Sequence, residues 1–551
     1  MSIAAPPVSE SPPASSPGGL SGWIAATDHK ASAARMALVA FGFFLVAGAF
    51  ALLMRGELAE PGLQLVSADG YNQLFTMHGS TMVFLVVTPL ALAVGLYMVP
   101  LQLGAADVAA PRLTLAGQWA LLAGGLIMFS GFLTAGGAAK AGWTAYYPLS
   151  GSSASQGSGT DLWLAGVLLA IAGSTIVGAT ILATILRLRA PGMTMLRMPV
   201  FCWAMFATCL LVVMSFPAVI AAMALLIGER LGLGVLGLPD AAIAYQNLFW
   251  FYGHPAVYVM FFPFLGIVAE VIATFSRRRF FGYRPMVFAL LAFTGLSMSV
   301  WAHHKFATGQ VSNQYFSLTS TLLIVPAGIE YFDLIATMIG GTIALRAPML
   351  FALGFLAQFL IGGVTGIWVA ATTLDLDAHD SYFIVAHFHY TLFAGSLFGL
   401  FAGVFYWFPK VTGALLRDGL GKLQFALLLI GSTLTFAPMF ALGQAGMPRR
   451  IADYSSADGW TALNVISSVG AVVIAAGILV FLVNLWVSLR HRRPAGPDPW
   501  EAHTLEWATS SPPPRFNFRV LPPITSYAPL YDLRERDPRL GEHPVAEGDE
   551  L

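Results

Sequence analysis

Twelve separate runs of about 20 apolar residues cross this chain, and they constrain its fold more than any other feature. A helix spanning roughly 30 Å of hydrocarbon must bond every backbone group internally, and a run of this length is what that takes. The runs fall at about 33–54, 72–99, 115–136, 162–187, 197–228, 244–276, 285–307, 314–343, 348–371, 382–408, 422–442 and 462–489. They predict an all-α integral membrane protein, a twelve-transmembrane-helix bundle. Composition agrees: of 551 residues, 57 % are hydrophobic and 10 % charged, where a soluble domain carries about 25 % charge. Lys and Arg (28) equal Asp and Glu (28), so there is no basic footprint for nucleic acid. Cys202 and Cys209 share one apolar run, match no zinc spacing and read as small core residues.

The flanks divide the chain into three. Residues 1–27, Pro- and Ser-rich from Ser9 to Ser21, are expected to be a disordered cytoplasmic segment rather than a signal peptide, since no small-residue cleavage site follows the first run. Residues 28–493 hold the twelve helices. Residues 494–551 form a Pro-rich tail, expected to lie as an extended strap on the cytoplasmic face. The N-terminal flank, the even-numbered loops and the start of the C-terminal tail carry about 17 Lys and Arg against about six in the odd-numbered loops, which puts both termini in the cytoplasm.

Eleven histidines remain to be placed. His29, His491, His503 and His543 fall in the flanks and read as solvated surface. His78, His254, His303, His304, His387 and His389 fall inside four spans, where ionisable side chains are costly and usually functional. With the orientation above, all six lie roughly 6–15 Å below the outer face at 1.5 Å per residue. A lone buried imidazole is more often a satisfied core residue than a ligand, but six converging at one depth reverse that expectation. Imidazole suits iron, copper and zinc. His387 and His389, two residues apart, project about 200° from each other, so span 10 can serve two metal centres. His303 and His304 reach one ion only where the helix end loosens. His254 and Tyr258, four apart, share a helix face.

These residues sit in segments that resemble one known family. They are Phe75-Thr76-Met77-His78-Gly79, Trp250-Phe251-Tyr252-Gly253-His254-Pro255-Ala256-Val257-Tyr258, Val300-Trp301-Ala302-His303-His304, and His379 through Tyr390. The chain resembles subunit I of the haem–copper oxidases, the cytochrome c and quinol oxidases, from about Asp28 to the tail. The resemblance implies two haems, of type a with b or o as alternatives, and one copper. His78 and His389 would be axial ligands of a low-spin haem and His387 that of the oxygen-reactive haem. His254, His303 and His304 would hold the copper, with Tyr258 a redox tyrosine joined covalently to His254. Arg449 and Arg450 match a propionate-binding pair. His379, Asp380 and Asp375 match an outer cluster that also holds magnesium in relatives, and Trp143 and Arg55 match positions near the haems. Implied partners are a subunit II with copper A or a quinol-reactive role, a subunit III, cytochrome c as donor, O2 and membrane lipid. The implied setting is the bacterial cytoplasmic membrane.

Proton delivery departs from the family pattern. Asp107 matches the aspartate at the mouth of one route, but Thr114 and Leu115 stand where paired asparagines are expected. Ala256 replaces the buried glutamate, Glu330 the lysine of the second route, Ala327 a neighbouring Ser/Thr and Ala269 a serine. Glu330, Glu270 and Asp333 are expected to form an acidic substitute. Lys305 has no counterpart in this reading. A nitric oxide reductase is the nearest rival, though Tyr258 is present and Ala256 adds no carboxylate. A His- and Glu-based transporter would need paired broken helices.

Overall fold

All twelve apolar runs are helices in the computed structural model, which describes residues 19–236 and 240–537. The spans are, in order, span 1 His29–Glu57, span 2 Ala68–Leu103, span 3 Pro111–Leu133, span 4 Gly159–Arg187, span 5 Val200–Arg230 and span 6 Ala241–Phe275. Span 7 Tyr283–Thr308, span 8 Asn313–Met338, span 9 Ala347–Ala370, span 10 Tyr382–Thr412, span 11 Asp418–Gln444 and span 12 Thr461–Arg490 complete the bundle. Among the described residues there is no extended strand, only the isolated bridges Ser381–Pro448 and Ala414–Pro494.

Burial separates inner from outer helices. In the most apolar stretch of spans 2, 6 and 10, 78, 89 and 67 % of residues lie inside the protein, against 22 % in span 1 and 28 % in span 8. Three of the four histidine-bearing spans are thus the core. Among the outer spans, 3 and 4 approach through paired glycines: a Cβ on Gly117 would sit 2.8 Å from the Gly173 carbonyl, and one on Gly124 2.5 Å from that of Gly166. Lipid supplies no hydrophobic drive between helices, so such close backbone contact carries their association.

The irregularities are placed with a purpose. Span 2 widens to a π-helical turn at Met82–Val87, just past His78, and span 10 does so at His389–Ala394. Span 6 breaks at Met260–Phe261 between Pro255 and Pro263, one turn past Tyr258. Span 7 ends in a tight 3-10 turn, Trp301–Thr308, which is the loosened end that two adjacent histidines need.

Two expectations about the flanks need correction. Residues 1–18 lie outside the described residues, but Leu20–Ala25 is a short helix, not disordered chain. It is tied down because the Arg35 guanidinium donates to the Trp23 and Ala26 carbonyls. His29 and His503 are buried rather than solvated. The tail causes this: as a strap it folds back over the helix ends, and the His29 ring lies between the Leu96 carbonyl (3.0 Å) and the Asn517 side-chain carbonyl (3.1 Å). Lys410, fully buried at the end of span 10, donates to the carbonyls of Pro497 (2.9 Å) and Thr509 (2.6 Å). Glu506, equally buried, accepts from Gln102 (3.1 Å) and Trp407 (3.0 Å). The strap ends in a helix, Pro529–Arg536. Both cysteines are buried and free, as core residues should be.

Candidate haem and copper centre

Helix geometry brings the six deep histidines to one cavity of about 1140 Å³, larger than the roughly 300–1,000 Å³ of an ordinary ligand pocket. Its wall is mostly apolar, and all six imidazoles line it together with Tyr258, Trp143, Arg55, Arg449 and Arg450.

Four of the rings have their tautomer forced by a neighbour. His78 Nδ1 lies 2.9 Å from the Ala47 carbonyl, His389 Nδ1 2.8 Å from that of Val385 and His387 Nδ1 3.1 Å from that of Gly362. A carbonyl only accepts, so each Nδ1 carries the proton and each Nε2 keeps a lone pair. His303 Nδ1 lies 2.7 Å from Ser320 Oγ, and that hydroxyl spends its own proton on the Phe316 carbonyl. Such outer contacts fix ring orientation in metal sites. Ala47, Gly362, Ser320 and Val385 carry no sequence signal of this role, because the partner atom is a backbone oxygen or a lone hydroxyl on another turn.

Three nitrogens meet from two spans. His303 Nε2 is 3.1 Å from His304 Nε2, which is 3.3 Å from His254 Nδ1. One ion about 2 Å from each would space them about 3.3 Å apart. Among the described residues this is the one group of three or more His, Cys, Asp or Glu with ligand atoms close enough to share a metal. The other nitrogen of His254, Nε2, is buried without a partner, and the Tyr258 ring packs against this imidazole at 4.8 Å between centroids. The shared face expected of these two residues is therefore present.

The rings of His78 and His389 stand parallel within 22° at 6.5 Å between centroids, a gap that admits a metal ion bonded to both. Phe436 stacks on the far side of His389 at 4.5 Å. His387, two residues earlier, points instead toward span 9, where Thr365 Oγ1 lies 3.2 Å from its Nδ1. Span 10 thus serves two directions, as its spacing requires.

Polar residues gather at the cavity's outer rim. Arg55 donates through Nη2 to the Asn464 carbonyl (2.8 Å) while its Nε and Nη1 are buried without partners. Arg449 pairs with Asp380, and its Nε is likewise unpartnered. Burial and the neighbouring Arg449 lower Arg450 to about 10, which leaves it charged at neutral pH. His379 Nδ1 lies 3.0 Å from Asp375 Oδ2, and that bond raises the imidazole above its ordinary value. Burial pushes Asp380 up, but Arg449, His379 and Arg450 together hold it below the usual carboxylate range. Trp143 packs against Phe249 and Trp250 and covers Gly79, one residue past His78. Unpartnered guanidinium hydrogens beside a large apolar slot fit an amphipathic cofactor bearing carboxylates.

The acidic residues do not form the single group expected of them. Glu270 accepts from the Phe201 amide at 3.2 Å and faces Glu506 of the strap. Glu330 and Asp333 sit together on span 8, each with a buried unpartnered oxygen, and Glu330 is within charge range of Tyr258. Span 6 carries Glu270 toward the strap, and that separates it from the pair. Asp107 accepts from the amides of His29 (3.1 Å) and Val108 (2.8 Å), helping to close the start of span 1. Asn247 and Glu506 were missed as contributors to buried polar contacts, since a polar residue near a span start or in a tail looks like a solvated one, and Lys305 was noticed without a partner to explain it.

A twelve-span bundle with three clustered imidazoles and a facing imidazole pair fits a membrane oxidoreductase of the haem–copper kind. Residues 32–473 match the family described as cytochrome c and quinol oxidase polypeptide I, and the chain belongs to it. It is 46 % identical over 531 residues to cytochrome c oxidase subunit 1 of Corynebacterium efficiens, covering 94 % of this chain and 92 % of that one. With the same subunit of Corynebacterium glutamicum it shares 46 % over 512 residues, covering 92 and 88 %. A solved heme-copper terminal oxidase dimer has the same fold, with a TM-score of 0.71 at 18 % identity over 84 % of each chain. The chain is therefore a multi-pass catalytic subunit I of a terminal oxidase, a family whose cofactors are haem and copper and which works with further oxidase subunits.

Proposed function

We propose that this subunit reduces O2 to water with electrons from cytochrome c, delivered through a copper-A-bearing subunit II and accompanied by a subunit III. The relatives named as cytochrome c oxidases favour this donor over quinol. The observation that carries the site assignment is the triangle of His254 Nδ1, His303 Nε2 and His304 Nε2 with spacings of 3.1 and 3.3 Å. These three would hold copper. His78 and His389 would hold the low-spin haem, of type a, and His387 the second haem, while Arg55, Trp143, Arg449 and Arg450 would receive the outer polar edges of both. Asp375, His379 and Asp380 form the outer cluster, which would hold a magnesium ion together with a carboxylate from another subunit.

When bound, iron and copper supply the electrons for oxygen reduction. The protein's own share is position and protons. Carbonyls and the Ser320 hydroxyl keep the ligand nitrogens deprotonated and aimed inward. Tyr258, beside the copper triangle and joined to His254, would give one proton and one electron to the oxygen being reduced. Glu330 would return the proton and draw its own from Asp333, near the cytoplasmic end of span 8, while an electron from cytochrome c restores the phenol; Asp107 and Glu270 are the remaining acids on that side. Support comes from the buried, unpartnered Glu330 carboxylate within charge range of Tyr258. The membrane is the bacterial cytoplasmic one, with both termini inside.

Metal analysis of the purified enzyme should give copper and iron near one to two, with Soret absorption. Oxygen uptake should follow reduced cytochrome c and not quinol; the reverse result overturns the donor. Glu330→Gln should slow steady-state turnover on the order of 10²-fold. Unchanged turnover removes Glu330 from the proton path.

A further inference from the structure

The turn that carries His303 and His304 leaves helical geometry at the next residue, Lys305, whose backbone has φ −127° and ψ 15°. Its side chain turns inward, 1 % exposed, and donates to Asn247 Oδ1. Asn247 precedes His254 by seven residues on span 6, two turns less about 20°, so the two share a face. Between them stands Trp250, stacked on the His304 ring at 4.0 Å and 15°. Span 6 therefore meets the turn at three successive rungs: Asn247 on Lys305, Trp250 on His304, and His254 on His303 and His304.

We propose that Lys305 and Asn247 are positioning residues for the copper, a brace that holds the His303–His304 turn at the distance and height where the His254 imidazole can close the triangle. The inference rests on the reading of these three histidines as copper ligands. His303 and His304 are consecutive, so their relation is largely covalent. His254 arrives on another helix, and its placement depends on the rungs. A metal site tolerates about 0.5 Å of error. Two stacked rings resist separation but shear easily, so the Trp250–His304 contact leaves sliding along the helix axis open. A charge-assisted hydrogen bond has a defined length and direction, and burial strengthens it. The brace also needs its own backbone held, and Thr308 Oγ1 does this by donating to the Lys305 carbonyl at 2.7 Å.

The test compares copper retention against a chelator in the purified holoenzyme for Lys305→Met, Asn247→Ala, the double variant and Asn247→Asp, which keeps an acceptor. Either single change should weaken retention about 10–100-fold. The double variant should be no worse than the singles, and Asn247→Asp should retain copper near the parent level. The low-spin haem spectrum should be unchanged throughout. Parent-like retention by Lys305→Met overturns the brace, and so does joint loss of copper and the low-spin haem, which is general damage. A parent enzyme without copper overturns the ligand assignment underneath instead.

Discussion

A ligand histidine is defined as much by the nitrogen it hides as by the one it offers. His387 illustrates this, because its Nδ1 is engaged by the Gly362 carbonyl while span 9 comes close beneath span 10. A Cβ on Gly362 would lie 2.7 Å from Thr391 Cγ2 and 2.9 Å from the Thr391 amide nitrogen. Gly362→Ala must therefore push the π turn away at a cost of about 1–3 kcal/mol, and that draws the His387 ring off the carbonyl of residue 362. We expect the CO-binding, high-spin haem signal to fall while the low-spin signal holds, measured by reduced and CO-difference spectra. Equal retention of both would remove Gly362 from this role. The six histidines themselves were legible in the sequence, since charge-bearing side chains at one depth in four apolar spans have few other uses. Their supporting partners were not: a backbone carbonyl at Ala47 or Gly362 looks the same in sequence as any other.

At the scale of elements, hydropathy located the spans but was blind to their breaks. A π turn at His389 or a 3-10 turn at Trp301 leaves the apolar count of a run unchanged, although it decides which way a ligand points. Only the His303–His304 pair announced its turn, because adjacent side chains cannot share an ion from a regular helix. The strap was foreseen as an element, and its grip was not. His503 is buried in it, and burial together with Arg534, Arg277 and Arg279 lowers this imidazole to about 3. An undocked strap leaves it near 6.5, so the undocked form binds more protons between those values. Docking is therefore fully stable above about pH 6.5 and weakens as pH falls toward 3. Burial raises the Glu506 carboxyl, which acts in the opposite sense: its contribution is full below about pH 4.3 and declines as pH rises. Hydrogen exchange of the amides around residues 503–509, corrected for intrinsic rates, should show protection lost on acidification. His503→Gln should flatten that loss, and Glu506→Gln should raise protection on the alkaline side.

For the whole molecule, the count of spans and the meeting of the histidines follow from patterns one can read along the chain, while the core position of spans 2, 6 and 10 emerges only from their packing. The regrouping of the acids does not follow either, because Glu270 faces the strap and Glu330 faces Tyr258, and a sequence gives depth and angle on one helix but not the neighbour that helix meets. The strap matters at this scale because Lys410 has its ammonium satisfied by strap carbonyls. A chain ended at Pro494 loses all three of those carbonyls and the Trp507 ring over the ammonium, and opens the end of span 10 to water. Its thermal midpoint should drop in a detergent melt.

The contact between His29 and Asn517 joins positions 488 residues apart in the chain, at the start of the first span and beyond the last. During synthesis the first span enters the bilayer long before its mate leaves the ribosome, so this seam stays unzipped until translation is nearly finished. A product cut short by premature termination would keep that seam open, with the His29 imidazole held on the Leu96 side alone.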